Sequence, residues 1–229
     1  TFRPSLDRGG NCPPPPPGAM TTVHLVATEV ACVAGTSGYK TSVHVDGQEY
    51  YFDDSGVVAG PPLRSHTGGR APGKKTRVID FGLSEFNGDV LSTTLGPLFA
   101  KGTYDVLRKN CNSFTDAALF LLTGERLPAE LSRGERLLLA TEPLSIWLVP
   151  HLMAASCLLL GASTNARAAE VISVYDRNPS AVGFSIDEVV GSQLREWRQR
   201  HASPGARSPG GRRGPPEAAG RRERGPCAP

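Results

Sequence analysis

A segment in the first quarter of the chain constrains the fold most, because it has the pattern of a β-hairpin. Residues 40–45 read Lys-Thr-Ser-Val-His-Val and residues 49–52 read Glu-Tyr-Tyr-Phe, with Asp46-Gly47 between them. Asp-Gly between two strand-forming segments is the strongest short-range hairpin signal. The sequence therefore predicts two antiparallel strands. By the alternation of side chains along a strand, one face carries Thr41, Val43 and Val45, and the other carries Lys40, Ser42 and His44.

Other segments predict a mixture of strands and helices. Residues 22–33 have the composition of one or two strands, and residues 77–81 and 104–107 of short strands. A helix is predicted over residues 84–101, with an interruption at Gly96-Pro97. The predicted fold class is therefore α+β, with antiparallel strands.

A second predicted helix begins close to Cys111. Apolar side chains recur at helical spacing between residues 114 and 122. Ser113 and Asp116 have the spacing of a capping arrangement, and Gly124 stands where a helix C-cap belongs. Cys111 is therefore expected at the N-terminal end of a helix whose other face is core.

The position of Cys111 suggests a reactive thiol. A helix N-terminus offers N–H groups and a positive dipole end, which are expected to lower the pKa of the thiol from about 8.5. The amides of Asn110 and Asn112 are possible hydrogen-bond donors to an oxyanion. The alternative is a buried structural cysteine, and the polar neighbours on both sides argue against it.

The two ends of the chain differ from the rest in their content of proline, glycine and arginine. Residues 1–19 contain five consecutive prolines, and residues 201–229 have almost no large apolar side chain, so both ends are expected to be disordered. Between them we predict a domain over residues 20–133 and an apolar, helical extension over residues 134–200.

The basic charge of the chain belongs to the C-terminal tail. In residues 203–229, six arginines against two glutamates give +4, so the rest of the chain carries −1 of the formal +3. A disordered basic tail can contact acidic partners nonspecifically. The folded part offers no electrostatic case for a specific nucleic-acid site.

The loop over residues 54–76 is rich in Gly and Pro and is expected to be mobile. Its segment from Gly68 to Lys75 comes close to a phosphate-binding loop. However, Lys75 occupies the place of the magnesium-binding Ser or Thr, and a strand follows where a helix is required. We therefore reject a nucleotide site here.

The C-terminal extension contains two apolar segments. Residues 144–160 are almost continuously apolar, but a membrane span needs about 20 such residues and Pro150 lies in the middle. A buried or surface-docking helix is expected. Residues 185–200 predict an amphipathic helix, which begins with Ser185 and Glu188 as a capping box. Its apolar stripe is expected to pack on its own domain, with partner binding as the alternative.

The spacing of the cysteines argues against a zinc cluster and against a disulfide framework. Five are present, at positions 12, 32, 111, 157 and 227, without a Cys-x-x-Cys pair. We expect no zinc cluster, no other metal or cofactor, and no disulfide framework. The N-terminus also lacks the apolar core of a signal peptide. A reducing compartment, cytoplasmic or nuclear, is the expectation.

Three blocks carry a resemblance to a known family. They are residues 38–52, the block Asn110-Cys111-Asn112-Ser113-Phe114-Thr115, and the block Leu122-Thr123-Gly124-Glu125-Arg126-Leu127-Pro128. In this order they resemble the PPPDE family of desumoylating or deubiquitinating isopeptidases, over residues 22–133. The resemblance implies a permuted papain-like fold and ubiquitin or a ubiquitin-like modifier as partner. It also implies that Cys111 is the nucleophile that attacks an isopeptide bond to lysine.

The chain departs from the family pattern at the catalytic histidine. That histidine directly precedes the Thr-Ser-Val strand, and here the position is Lys40. His44 is on the same face, but four residues along a strand place it roughly 13 Å away, beyond the ~3 Å reach of a general base. Lys40 could favour the thiolate through its charge, or His24 or His66 could reach the site.

Three functions therefore remain open. The first is a cysteine isopeptidase, and the second is a catalytically impaired module of the same fold that binds a ubiquitin-like protein. The third is a thioesterase or acyltransferase, since an Asn-Cys-x-x-Phe block also occurs in lecithin–retinol acyltransferase-like proteins. The Leu-Thr-Gly-x-x-Leu-Pro continuation favours the isopeptidase.

Overall fold

One antiparallel sheet organises the protein. The computed structural model describes residues 20–33, 36–67, 76–142 and 178–202. Five strands lie in the order β4-β3-β2-β1-β5. They are β1 (Thr21–Val33), β2 (Thr36–Val45), β3 (Gln48–Asp53), β4 (Gly56–Gly60) and β5 (Thr76–Ser84). The predicted disordered ends, the segment 68–75 and the apolar run 144–160 lie outside the described residues.

The predicted hairpin is confirmed. Asp46 and Gly47 have φ angles of 50° and 76°, the left-handed values that a tight two-residue turn requires. On either side, Val45 pairs with Gln48 and Val43 with Tyr50. Because paired residues point to the same face, the core-facing side chains of β2 continue onto β3.

Five helices and two short 3-10 turns complete the described part. They are α1 (Arg64–Thr67), α2 (Gly88–Leu95), α3 (Cys111–Thr123), α4 (Arg133–Ala140), the turns Ala129–Leu131 and Pro179–Ala181, and a C-terminal helix, α5. Helix α5 runs through Ile186–Glu188, a π-helical stretch Val189–Leu194, and Arg195–His201. No helix in the described ranges has the length and apolar character to cross a membrane.

Two of the predicted elements differ from the structure. Helix α2 starts at Gly88 and not at residue 84, because β5 continues to Ser84 and the Asn87 side chain caps the helix by accepting from the Val90 N–H at 3.1 Å. The strand predicted over residues 104–107 is wrong. The Asp105 carboxylate there accepts from the N–H groups of Leu107 and Arg108, which closes a turn.

Helix α3 packs against one face of the sheet and forms the centre of the core. Phe114 of α3 contacts the ring of Phe99 at 5.4 Å between centroids, and Phe99 contacts Phe52 of β3 at 5.1 Å. Gly124 ends the helix with a φ of 81°, and its N–H bonds to the Phe120 carbonyl, as the sequence predicted. The buried side chains of α3 that face this core include Phe114, Ala117, Ala118, Leu121 and Leu122.

The segment expected to be a mobile loop contains β4, which is the edge strand of the sheet, and α1, which packs on the other face of the sheet. Helix α1 is attached there by buried polar contacts. Ser65 donates from Oγ to Glu49 at 2.7 Å, and its N–H donates to the same carboxylate at 3.0 Å. His66 hydrogen-bonds Ser42 at 2.9 Å and Thr28 at 2.8 Å. The expectation of mobility is therefore wrong for residues 56–67.

Helix α5 packs on the far end of α3. Val190 and Leu194 are buried in the core, and the Trp197 ring meets Phe86 at 5.0 Å. Arg198 donates from its guanidinium to the carbonyl of Phe120 at 3.1 Å, near the C-terminus of α3. A positive charge at the C-terminal end of a helix is favourable. The apolar stripe of α5 thus covers its own chain.

The burial of α5 predicts a strong effect of shortening one side chain. Leu194 is 1% exposed, so we expect Leu194→Ala to lower the free energy of unfolding by about 3 kcal/mol. Leu137, on α4, is 52% exposed and provides a matched control, because Leu137→Ala removes the same atoms with little loss of packing. Urea denaturation of both variants measures the difference. If the two variants were equally stable, the packing of α5 in the core would be contradicted.

Candidate active site

The candidate site lies at the N-terminus of α3, where Asn110 caps the helix. The Asn110 Oδ1 accepts from the N–H groups of Asn112 and Ser113, each at 2.9 Å. This arrangement satisfies two of the N–H groups that a helix start leaves unpaired. The predicted capping pair of Ser113 and Asp116 is therefore wrong. Ser113 lies within the first turn, and Asp116 instead binds Arg126 at 2.7 Å through two N–H groups.

The Asn112 side chain joins three elements around Cys111. Its Oδ1 accepts from Thr41 Oγ1 of β2 at 2.6 Å. Its Nδ2 donates to the Tyr39 carbonyl at 3.0 Å and to the Glu135 carboxylate of α4. The amide is buried, and these bonds offset the cost of removing it from water. The Cys111 sulfur lies 3.8 Å from the Asn112 Oδ1.

The asparagine amides do not take the role that the sequence suggested. Asn110 Nδ2 donates to the Val106 carbonyl at 2.7 Å, and Asn112 Nδ2 donates to the Tyr39 carbonyl and to the Glu135 carboxylate. The expectation of donors directed at an oxyanion is wrong here, because acceptors of the chain itself occupy both amides.

The surroundings of Cys111 oppose ionisation. Burial raises the pKa of the thiol to about 11, and the negative charge of Glu135 adds to the increase. The backbone N–H groups of Thr41 and Asn112 and the charge of Lys40 all lower the pKa, but by less. The expected fall below the ordinary value is therefore wrong, because desolvation of the anion outweighs the hydrogen bonds that stabilise it.

Lys40 lies beside the site. The N–H of Thr41, which lowers the pKa of the Cys111 thiol, belongs to the peptide bond that follows Lys40. The Lys40 ammonium itself is 5.9 Å from the centroid of the Tyr51 ring, a cation–π arrangement. Position 40 is thus near the sulfur through its backbone, whereas its side chain, which alternates with that of Thr41, starts on the opposite face of β2.

The described histidines lie elsewhere. His66 is buried and bonds to Ser42, which alternates with Thr41 and so is on the opposite face of the sheet from Cys111. His24 pairs with His44 on that opposite face, and the His44 Nε2 accepts from the Leu63 N–H at 3.4 Å. His201 lies in α5, which packs near the C-terminus of α3. The proposal that His24 or His66 reaches Cys111 is therefore wrong.

Two residues of the site were missed from the sequence. Burial, together with the nearby Cys111, raises the pKa of the Tyr104 phenol well above its usual range. Burial also raises the pKa of Glu135, to about 7, against the opposing effect of the Asn110 and Asn112 amides. Tyr104 precedes Cys111 by seven residues and Glu135 follows it by 24, so no local spacing relates them.

No metal centre accompanies these groups in the part of the chain that the structure describes. Within it, no cluster of three or more His, Cys, Asp or Glu side chains could hold an ion. The chemistry available from the described residues is that of a thiol, a phenol, a carboxyl group and an ammonium.

Comparisons with known proteins match the chain to one family. The model of the PPPDE putative peptidase domain matches residues 20–150. Desumoylating isopeptidase 1 of Homo sapiens is 29% identical over 98 residues, which cover 41% of this chain and 55% of that protein. The DeSI-like protein sdu1 of Schizosaccharomyces pombe is 30% identical over 129 residues, 54% of this chain and 64% of that protein. The chain thus spans little more than half of the human relative.

The cap of α3 is predicted to contribute to stability. Asn110→Ala removes the acceptor of two N–H groups, so we expect the free energy of unfolding to fall by about 1–2 kcal/mol. Asn110→Ser retains a capping oxygen and is the control, with most of the stability kept. Urea denaturation distinguishes them, and an Asn110→Ala variant as stable as the parent chain would contradict this role of the cap.

Proposed function

The chain belongs to the PPPDE peptidase family, and from this membership we propose that it is a cysteine isopeptidase. The proposed substrate is the bond between the C-terminus of a ubiquitin-like modifier and a lysine side chain. The human and rat relatives are named desumoylating isopeptidase 1, which makes SUMO the first modifier to test, before ubiquitin. The proposed nucleophile is Cys111.

The surroundings of the Cys111 sulfur carry this proposal. The sulfur lies at the start of α3, and the backbone N–H groups of Thr41 and Asn112 beside it both favour the thiolate. Backbone donors of this kind are fixed by β2 and α3 and do not depend on side-chain conformation. A partly exposed cysteine with such groups beside it suits a thiol nucleophile.

The proposed reaction has two stages. The Cys111 sulfur gives up its proton and bonds to the carbonyl carbon of the isopeptide, and the resulting oxyanion collapses to expel the lysine amine, which takes up a proton. Water then hydrolyses the thioester and regenerates the thiol. The Asn110 cap occupies the N–H groups of Asn112 and Ser113, so we assign the Cys111 N–H as the donor to the oxyanion.

Lys40 replaces the histidine of the family and alters the proposed chemistry. An ammonium group supports a neighbouring thiolate by charge, but it does not shuttle protons at neutral pH as an imidazole does. Loss of a general base costs roughly 10²–10⁴ in rate. A second candidate function is therefore a binding module for a ubiquitin-like protein, and the raised pKa of Cys111, about 11, favours it.

A covalent probe tests the nucleophile. SUMO and ubiquitin carrying an electrophile in place of the C-terminal carboxylate should each be incubated with the full chain. We expect a Cys111-linked adduct with at least one of them, and none with Cys111→Ala. The adduct site is measured by mass spectrometry. Binding of the unmodified modifier without any adduct would instead identify the binding module.

Restoring a histidine tests the role of position 40. Position 40 directly precedes Thr41, and the charge of its side chain already acts on the Cys111 thiol. We expect Lys40→His to increase the rate of probe labelling at pH 7 by about tenfold or more. Lys40→Gln removes the charge without supplying a base and should not exceed the parent chain. Equal rates for the two variants would exclude a missing base as the limiting factor.

A further inference from the structure

Glu135 occupies an unusual place in the site. It lies on α4, and its carboxylate accepts from the side-chain amide of Asn112, whose Oδ1 is 3.8 Å from the Cys111 sulfur. One side chain therefore separates this carboxylate from the atom at which ionisation of Cys111 would create a second negative charge. The Glu135 charge raises the pKa of the Cys111 thiol, second only to burial among the causes.

We propose that Glu135 is a built-in inhibitory anion that holds Cys111 in its protonated form. In this arrangement the nucleophile forms only when the carboxylate is neutralised or when α4 moves away from Asn112. The inference rests on the proposed function only in assuming that the Cys111 thiolate attacks a substrate. Its effect on the ionisation of Cys111 is independent of any substrate.

The balance of charges around the sulfur supports a dominant role for Glu135. On the β2 side, Lys40 favours the thiolate, and the backbone N–H groups of Thr41 and Asn112 act in the same direction. The other titratable groups that act on or with the sulfur are Glu135 of α4 and the Tyr104 phenol, which is neutral at physiological pH because burial raises its pKa further. Glu135 is therefore the group in this set whose negative charge opposes ionisation at neutral pH.

The sign of the pH dependence follows from the carboxyl group itself. Burial raises the pKa of Glu135 to about 7. Below pH 7 the group is mostly neutral and its opposition to the thiolate disappears, but few thiols are ionised there. Above pH 7 it is charged and moves the ionisation of Cys111 to still higher pH. Removing the charge therefore shifts the thiol titration downwards.

The attachment of α4 is consistent with its displacement. None of its eight residues, all within the described ranges, is fully buried. Within the described ranges, its polar contacts include the bond from Asn112 to Glu135 and, just past its end, an ion pair between Arg108 and Glu142. Because no α4 side chain is fully buried, an extended substrate tail that enters beside Cys111 displaces the helix in this proposal.

The ionisation of Cys111 can be measured directly with iodoacetamide. The sulfur bonds to the methylene carbon as iodide leaves, and the thiol proton passes to solvent. The rate at Cys111 in the full chain is followed by mass spectrometry of its peptide from pH 6 to 11, which separates it from the other four cysteines. The parent chain should show a midpoint well above the ordinary value of about 8.5.

Glu135→Gln removes the charge but keeps an oxygen that accepts from Asn112. We expect the midpoint to fall by about one pH unit or more, which makes alkylation at pH 8 about tenfold faster. Glu135→Ala should show at least the same shift, since it also removes the charge. Glu130→Gln, at an exposed position in the preceding turn, is the matched control and should leave the profile unchanged.

The outcomes separate this inference from the proposed function. An unchanged or raised midpoint in Glu135→Gln, with thermal unfolding like that of the parent, overturns it. A shift of the midpoint in Glu135→Ala but not in Glu135→Gln would show that the side-chain contact, and not the charge, sets the ionisation of Cys111. That result also overturns the inference. If the variants do not fold, a parent midpoint at or below about 8.5 overturns it. A shifted midpoint in a chain that no modifier probe labels supports it while rejecting the isopeptidase.

Discussion

The buried amide of Asn112 is the contact on which the site depends most. Through one side chain, α3 is bonded to Thr41 and the Tyr39 carbonyl on β2 and to Glu135 on α4. An amide that is removed from water without partners destabilises a protein by several kcal/mol, roughly 1–3 by mutational measures. Its donors and acceptor therefore fix the relative positions of these elements. The Cys111 sulfur is located by this junction.

That junction places two opposing influences on one sulfur. The backbone N–H groups of Thr41 and Asn112 favour a thiolate, whereas burial and Glu135 favour the thiol. Desolvation is the largest cause, so the helix N-terminus by itself does not produce a reactive cysteine. A nucleophile of this kind becomes effective when the site is opened to a substrate or when the neighbouring anion is removed. The low polarity that raises the pKa also strengthens every remaining charge effect on the sulfur.

Local patterns predicted the parts of the fold that depend on local physics. The Asp46-Gly47 turn, the Gly124 C-cap and the apolar stripe of α5 follow from backbone conformation and side-chain periodicity, and the structure contains all three. The strand over residues 104–107 was mispredicted, because the Asp105 side chain competes for the backbone N–H groups. Cys111 could be singled out from its neighbours. Glu135 could not, since it approaches Cys111 only through the packing of α4 on β2.

Lys40 and Glu135 act on the same sulfur with opposite sign. The backbone N–H of Thr41 next to Cys111 does not depend on which side chain stands at position 40. The geometry that holds the sulfur is thus separable from the groups that set its protonation. Because both charges act through one poorly solvated site, their effects on Cys111 should couple and not simply add. Binding beside Cys111 and thiol chemistry at Cys111 therefore need not be gained or lost together.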